Sequence, residues 1–236
     1  KSVSNNVFVV GRNRLFLMRR KPKVVSGASI VRAEGHILDL AEVRLSGTRG
    51  ISFLFRTFDI TGETDRPEEI LSCVKRAFLY NFSHFPQETM FRVTAEPPAV
   101  VPPALDDASL YYQSETPCGG FVRTYRALCD YYGVPPNETL CWDIDSLYAG
   151  NRVLDLRHLF PGAGDDVPEP ELVPVLHALR YNTHFKQLIN TTCRLRSAPA
   201  AAGLCALLRA NATLTALALP RLGLAEKPLA ALVDAM

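Results

Sequence analysis

The chain has 236 residues, 47% of them hydrophobic and 21% charged, which is enough apolar material for one large core or two small ones and excludes a chain disordered throughout. A formal net charge of +2 and a pI near 8.3 exclude the overall basicity of a nucleic-acid-binding domain, so any electrostatic function needs charge gathered locally. It is gathered in GRNRLFLMRRKPK, where Arg12, Arg14, Arg19, Arg20, Lys21 and Lys23 occur without an acid.

Six cysteines, at 73, 118, 129, 141, 193 and 205, form no CxxC pair and fit a reduced, intracellular chain. Sequons at Asn81, Asn137, Asn190 and Asn211 keep a secreted fragment open as an alternative. Neither a signal peptide nor a membrane-length apolar run is present, and the start at Lys1 makes the chain the expected piece of a longer protein.

The amino-terminal third predicts sheet. VFVVGRNRLFLM is two β-rich runs around a Gly-containing turn, hence a hairpin, and KVVSGASIVRA, GHILDLAEVRLSG and GISFLFRTFDI are further strand-like runs separated by Gly or Ser. The period then changes. TDRPEEILSCVKRAFLYNF offers Asp65 as an N-cap, Pro67 in the first turn, Glu68 three residues on, and a stripe of Ile70, Leu71, Val74, Ala77 and Phe78. Strands closed by one C-terminal helix are the order of a pleckstrin-homology-like domain, a bent antiparallel sheet plugged by the helix, here over residues 1–88 with its first strand missing; on pattern alone other small α+β folds fit nearly as well. In such a domain the basic hairpin would meet acidic lipid headgroups; a solvated hairpin with ordinary surface charge is the other reading.

Residues 89–116 follow as a linker whose two Pro-Pro pairs make it stiff and extended. In PCGGFVRTYRALCDYYG a helix is expected from the spacing of Phe121, Tyr125, Leu128 and Tyr132, ending at Gly133 and Pro135. Cys118, at the expected helix start, has a means of thiolate activation and is the candidate nucleophile of a cysteine-dependent hydrolase. No cysteine-protease signature surrounds any of the five histidines, and burial as a small hydrophobe, with Cys129, is the competing reading. No metal site is expected, since cysteines 118, 129 and 141 lack paired short spacing. WDIDSLY is expected as an edge strand with Asp143 and Asp145 toward water, over the weaker reading of a D-x-D metal-nucleotide motif.

The last third repeats at an offset of 29 residues: HFKQLINTTCRL aligns with TLTALALPRLGL, pairing Phe185 with Leu214, Leu188 with Leu217, Cys193 with Leu222 and Leu195 with Leu224. The same offset pairs Arg180 with Arg209 and Asn182 with Asn211, and carries Leu204 to Val233 and Leu207 to Met236; RVLDLRHLF is a degenerate copy with Leu154, Leu156 and Leu159. A period of this length with LxxLxL strands and intervening helices predicts an α/β leucine-rich-repeat solenoid over residues 151–236, truncated at its end. Its test is whether Leu154, Leu188 and Leu217 share one row.

Pro117, Cys118, Gly119, Gly120, Phe121, Tyr125, Cys129, Asp130, Trp142, Asp143, Asp145 and Tyr148, followed by ALRYNTHFKQL, resemble the CARMIL family of regulators of actin-filament capping. The resemblance implies a pleckstrin-homology-type domain, a linker, a helical joint and solenoid cap over 117–150 formed by the Cys118 helix and the Trp142 strand, and a leucine-rich-repeat horseshoe. It further implies a non-enzymatic cytoplasmic scaffold without cofactor or nucleic acid, peripheral at the plasma membrane through acidic phospholipids and active in actin assembly at the cell edge. The family's capping-protein-binding and dimerising regions lie beyond the repeats, so this chain alone is expected neither to uncap filaments nor to dimerise.

Overall fold

The computed structural model describes residues 6–20, 29–97, 116–160, 169–190, 194, 197–219, 223 and 234. Lys21, Lys23, Cys193, Leu195, Leu222, Leu224, Val233, Met236 and the Pro-rich stretch 98–115 lie outside them. The fold is α+β, in two compact units, 1–112 and 113–236.

The first unit holds two sheets. Strands β1 (Asn6–Val10), β2 (Arg14–Arg20) and β3 (Ser29–His36) form one, antiparallel throughout, and Gly11 N–H donates to the Arg14 carbonyl at 2.8 Å to close the expected hairpin. Strands β4 (Leu40–Ser46), β5 (Gly50–Phe55), β6 (Asp59–Glu63) and β7 (Arg92–Glu96) form the other in the order β6-β5-β4-β7. The expected run GHILDLAEVRLSG is broken by a short 3₁₀ turn, Ile37–Asp39, where the His36 imidazole Nδ1 accepts from Leu38 N–H at 3.1 Å and draws the backbone off the extended path. The run GISFLFRTFDI folds back on itself as β5 and β6.

Alternation places Val43, Leu45, Ile51, Phe53 and Phe55 in the core. From the other sheet Phe8 meets Phe53 with ring centroids 5.7 Å apart, and a Cβ at Gly62 would lie 2.7 Å from the Phe8 ring, so that glycine makes room for the packing. Helix α1 (Pro67–Asn81) buries Leu71, Val74 and Phe78, and Phe78 reaches Phe82 and Phe91 at 5.3 and 6.2 Å. Its N-cap is Arg66, without a side-chain cap; Asp65 instead pairs with Arg49 at 2.9 Å, since Pro67 at the first helical position shifts the start by one residue. The helix is not the last element of this unit. Strand β7, within the stretch expected as linker, pairs in parallel with β4 from Glu42↔Arg92 to Ser46↔Glu96. RVTAE carries little apolar signal because an edge position buries few of its side chains.

The second unit starts with a 3₁₀ turn, Pro117–Gly120, followed by α2 (Phe121–Tyr132) and α3 (Glu138–Leu147). WDIDSLY is helix, not strand. Asn137 Oδ1 caps the helix by accepting from Leu140 N–H at 3.1 Å, and the buried set Leu140, Cys141, Ile144 and Tyr148 follows the helical period that the local W-D-I-D alternation hides. Beyond it come β8 (Val153–Asp155), the single turn α4 (Leu156–Leu159), α5 (Glu169–Leu179), β9 (Gln187–Ile189), α6 (Ala198–Ala210) and β10 (Ala216–Ala218). The three strands are parallel and adjacent in chain order, and Leu154, Leu188 and Leu217 are direct register partners. They form the single expected row.

Candidate functional site

Of the six basic residues nominated from the sequence, Lys21 and Lys23 lie outside the described residues, and the other four are spread along the β1–β2 hairpin. Arg12 is exposed in the β1–β2 turn, its guanidinium 6.0 Å from the centre of the Tyr80 ring, and its carbonyl accepts from Asn81 Nδ2 at 2.7 Å. Arg14 opens β2 and pairs with Glu34 across the sheet at 3.1 Å. A carboxylate at that distance offsets its charge toward an anionic ligand, although as a surface pair it adds at most about 1 kcal/mol to stability. Arg19 is exposed near the other end of β2, roughly 17 Å further along at about 3.3 Å per residue, and Arg20 ends the strand. Composition missed what surrounds Arg19: Val7, Ile30 and Val31 are exposed at 48%, 47% and 46%.

Cys118 is part of a joint. It precedes α2 and shares the left-handed backbone of Gly119 and Gly120, with φ of 50°, 63° and 73° in succession; for a residue with a Cβ this is a strained conformation held by its surroundings. Those surroundings are visible. The thiol donates to the Ile144 carbonyl at 3.1 Å, and the Cys118 carbonyl accepts from Asn182 Nδ2 at 2.9 Å. Burial, helped by the nearby Asp145 carboxylate, pushes the thiol up to about 11, and burial pushes Cys129 up to about 11 as well. The Cys118 thiol is buried and spent on the Ile144 carbonyl, and burial favours the thiol over the attacking thiolate, so the structure favours the joint over the nucleophile.

Asn182 and Asn211, matched by the repeat alignment, perform one task at successive levels. Asn182 Oδ1 accepts from His184 and Phe185 N–H at 2.9 and 3.2 Å, while Asn211 Oδ1 accepts from Thr213 and Leu214 N–H at 2.7 and 2.9 Å. Each Nδ2 reaches back one level, from Asn211 to the Leu179 and Asn182 carbonyls at 2.7 and 3.1 Å and from Asn182 to the Cys118 carbonyl. The ladder therefore ends on the Cys118 turn. An asparagine just after a helix, recurring at the 29-residue offset, was its sequence signal; of the pair, Asn211 alone falls in a sequon. Of the other sequons, Asn81 and Asn190 are buried and Asn137 caps α3.

His184 adds a polar clasp. Its Nε2 lies 3.0 Å from both the Tyr148 and Asn151 carbonyls and its Nδ1 lies 3.0 Å from Arg152 Nη1; carbonyls only accept and guanidinium only donates, so the ring proton sits on Nε2. Phe185 meets the rings of Phe121, Tyr148 and His184 at 5.8, 6.2 and 4.9 Å. Cys118, Phe121, Tyr148, Asn182, His184 and Phe185, all among the residues that carried the family resemblance, thus hold this joint together; Trp142, 63% exposed, faces solvent. Among the described residues no three His, Cys, Asp or Glu side chains gather as a metal site requires, and no helix is long and apolar enough to cross a membrane.

No protein-family model matches the chain. Protein CARMIL of Dictyostelium discoideum is 28% identical over 196 residues, covering 79% of this chain and 17% of that protein. The Rho GTPase-activating protein gacW of the same organism is 25% identical over 190 residues, covering 79% of this chain and 16% of its own length. The mouse capping protein, Arp2/3 and myosin-I linker protein 2 is 40% identical over 73 residues, 31% of this chain and 5% of that protein. The chain therefore spans less than a fifth of the length of each of these relatives. With the Cys118 turn, the aromatic joint and the parallel leucine row in place, the chain is similar to CARMIL proteins, at 28% identity across 79% of its length and at about 40% across a third of it.

Proposed function

We propose that this chain is a segment of a non-enzymatic scaffold that regulates actin-filament assembly through capping protein, working at the plasma membrane. The observation that carries the reading is the similarity to Dictyostelium CARMIL across 79% of the chain. In this reading residues 151–236 are leucine-rich repeats presenting an interaction surface; the recurrence of leucine and asparagine 29 residues apart, from Leu188 to Leu217 and from Asn182 to Asn211, supports it. The first unit acts as a pleckstrin-homology-like domain, a reading supported by its two packed sheets and single long helix, with β7 as an addition to that pattern.

Its ligand is acidic phospholipid, met through Arg12, Arg14, Arg19, Arg20, Lys21 and Lys23. Each base near an anionic surface contributes about 1 kcal/mol, so several acting together suffice for reversible attachment. The test is cosedimentation of the 236-residue chain with phosphatidylserine-containing and with neutral vesicles across a salt series. Binding to the anionic vesicles alone, weakening as salt rises and falling about a hundredfold or more in R19E/R20E/K21E, is the expected result. Equal binding to both kinds of vesicle, or a triple variant that binds like the parent, overturns the lipid reading.

A further inference from the structure

We propose that the rim formed by the C-terminal ends of α2, α5 and α6 docks an acidic peptide segment of a partner protein, whose carboxylates engage Arg180 and Arg209 beside Tyr132 and Tyr181. The site stands on the repeat geometry and needs neither the lipid nor the actin reading.

The rim follows from the period. Arg180 and Arg209 are 29 residues apart, and each stands two residues before an asparagine of the ladder, at the C-terminal end of successive helices. Asn211 Nδ2 donates to the Leu179 and Asn182 carbonyls, so the two arginines hold equivalent places on adjacent levels, roughly 10 Å apart at the spacing of packed helices. On the preceding level Tyr131 and Tyr132 end α2 with ring centroids 5.1 Å apart, and the Tyr132 hydroxyl meets His177 Nδ1 of α5 at 3.0 Å. Tyr132 is 41% exposed, so the aromatic end of the rim is open to solvent.

Arg180 is the anomaly. Its guanidinium carbon lies 5.1 Å from the centre of the Tyr181 ring, and its Nε–H is buried with no acceptor. Neither Arg180 nor Arg209 has an ion pair or a side-chain hydrogen bond among the described residues, and Asp130 and Glu171, on the flanking helices, pair with neither of them. The negative end of α5 favours a cation here but supplies no acceptor to that Nε–H. A buried donor left unsatisfied is rare in native structures and marks a place where something else is bound or strain is kept for use.

Charge and shape decide the occupant. The Nη groups of Arg180 reach solvent, and a guanidinium fork matches a carboxylate in geometry as well as in sign. Its positive charge acts on both Tyr132 and His177, so no carboxylate of this chain cancels it. Two free cations roughly 10 Å apart select carboxylates three residues apart in an extended chain, at about 3.5 Å per residue. Tyrosine and arginine are also the side chains that most often dominate the binding energy of protein interfaces.

Calorimetric titration of the 236-residue chain with hexaglutamate, about 20 Å long when extended and so able to reach both levels, tests the site. The parent is expected to bind the peptide with shifts in the NMR signals of the Arg180 Nε–H and the Tyr181 ring, and hexalysine to leave those signals unmoved. R180M/R209A is expected to bind about tenfold or more weakly. Arg180→Met alone should raise the urea midpoint, because it removes an unpaired, partly buried cation and keeps an apolar stem; a residue held for stability would lower it. A parent that binds no hexaglutamate, a double variant that binds it like the parent, or a lowered midpoint in Arg180→Met removes the site. Loss of binding in R19E/R20E/K21E alone also removes it, by placing the peptide on the β1–β2 hairpin.

Discussion

In residues 6–97 two sheets and a helix enclose the core from opposite sides, so Phe53 is fully buried by side chains from elements far apart in sequence. In residues 116–219 shielding is serial: Leu154 and Leu188 are fully buried in adjacent strands, while Leu217, in the same row, is half-buried. The polar interior differs in the same way. The first unit uses single contacts such as Asn81 to the Arg12 carbonyl, whereas the second repeats one asparagine geometry at an offset of 29 residues. A core closed from both sides makes every large side chain costly to remove, but a serial core makes the cost depend on position along the row.

That contrast predicts its largest effects for core truncation. Phe53→Ala is expected to cost about 3–5 kcal/mol and Leu188→Ala about 2–5, against about 1 for Leu217→Ala, read from urea midpoints. A Leu217→Ala variant as unstable as Leu188→Ala would break the gradient. The asparagine ladder comes next. Asn182→Ala leaves two N–H groups and the Cys118 carbonyl without their partner in a buried place and should cost about 2–4 kcal/mol, whereas Asn211→Ala, in a half-buried turn, should cost about 1–2. Equal losses would mean that the two asparagines are not graded by burial.

The last effect concerns acid. His177, whose Nδ1 lies 3.0 Å from the Tyr132 hydroxyl, is lowered to about 4, chiefly by burial and secondarily by the Arg180 cation. The folded state holds the neutral ring, so stability is fully present above the ordinary histidine value near 6.5 and erodes as pH falls toward 4, when the unfolded chain takes up a proton that the folded chain refuses. By pH 5 the loss is about 1–2 kcal/mol. The drop in Tm between pH 7 and pH 5 should be shallower in His177→Gln; an identical drop would assign the acid sensitivity elsewhere.

Sequence periodicity by itself determined the β1–β2 hairpin, the existence of α1 and α2, and the leucine row, because each is a local repeat of burial that a period of 2, 3.6 or 29 residues records. It also brought out the Cys118 turn and the asparagine pair, as residue types whose partners it did not contain. Only the tertiary structure decided that β7 returns to pair with β4, that WDIDSLY is a helix, and that Asn182 reaches across 64 residues to the Cys118 carbonyl. Separation along β2, rather than proximity in the chain, likewise decided that the basic residues fall at two ends of a strand, one offset by Glu34 and the other beside exposed valines. Local pattern reports how often a side chain meets the core, whereas pairing and charge balance depend on what distant segments bring to the other side.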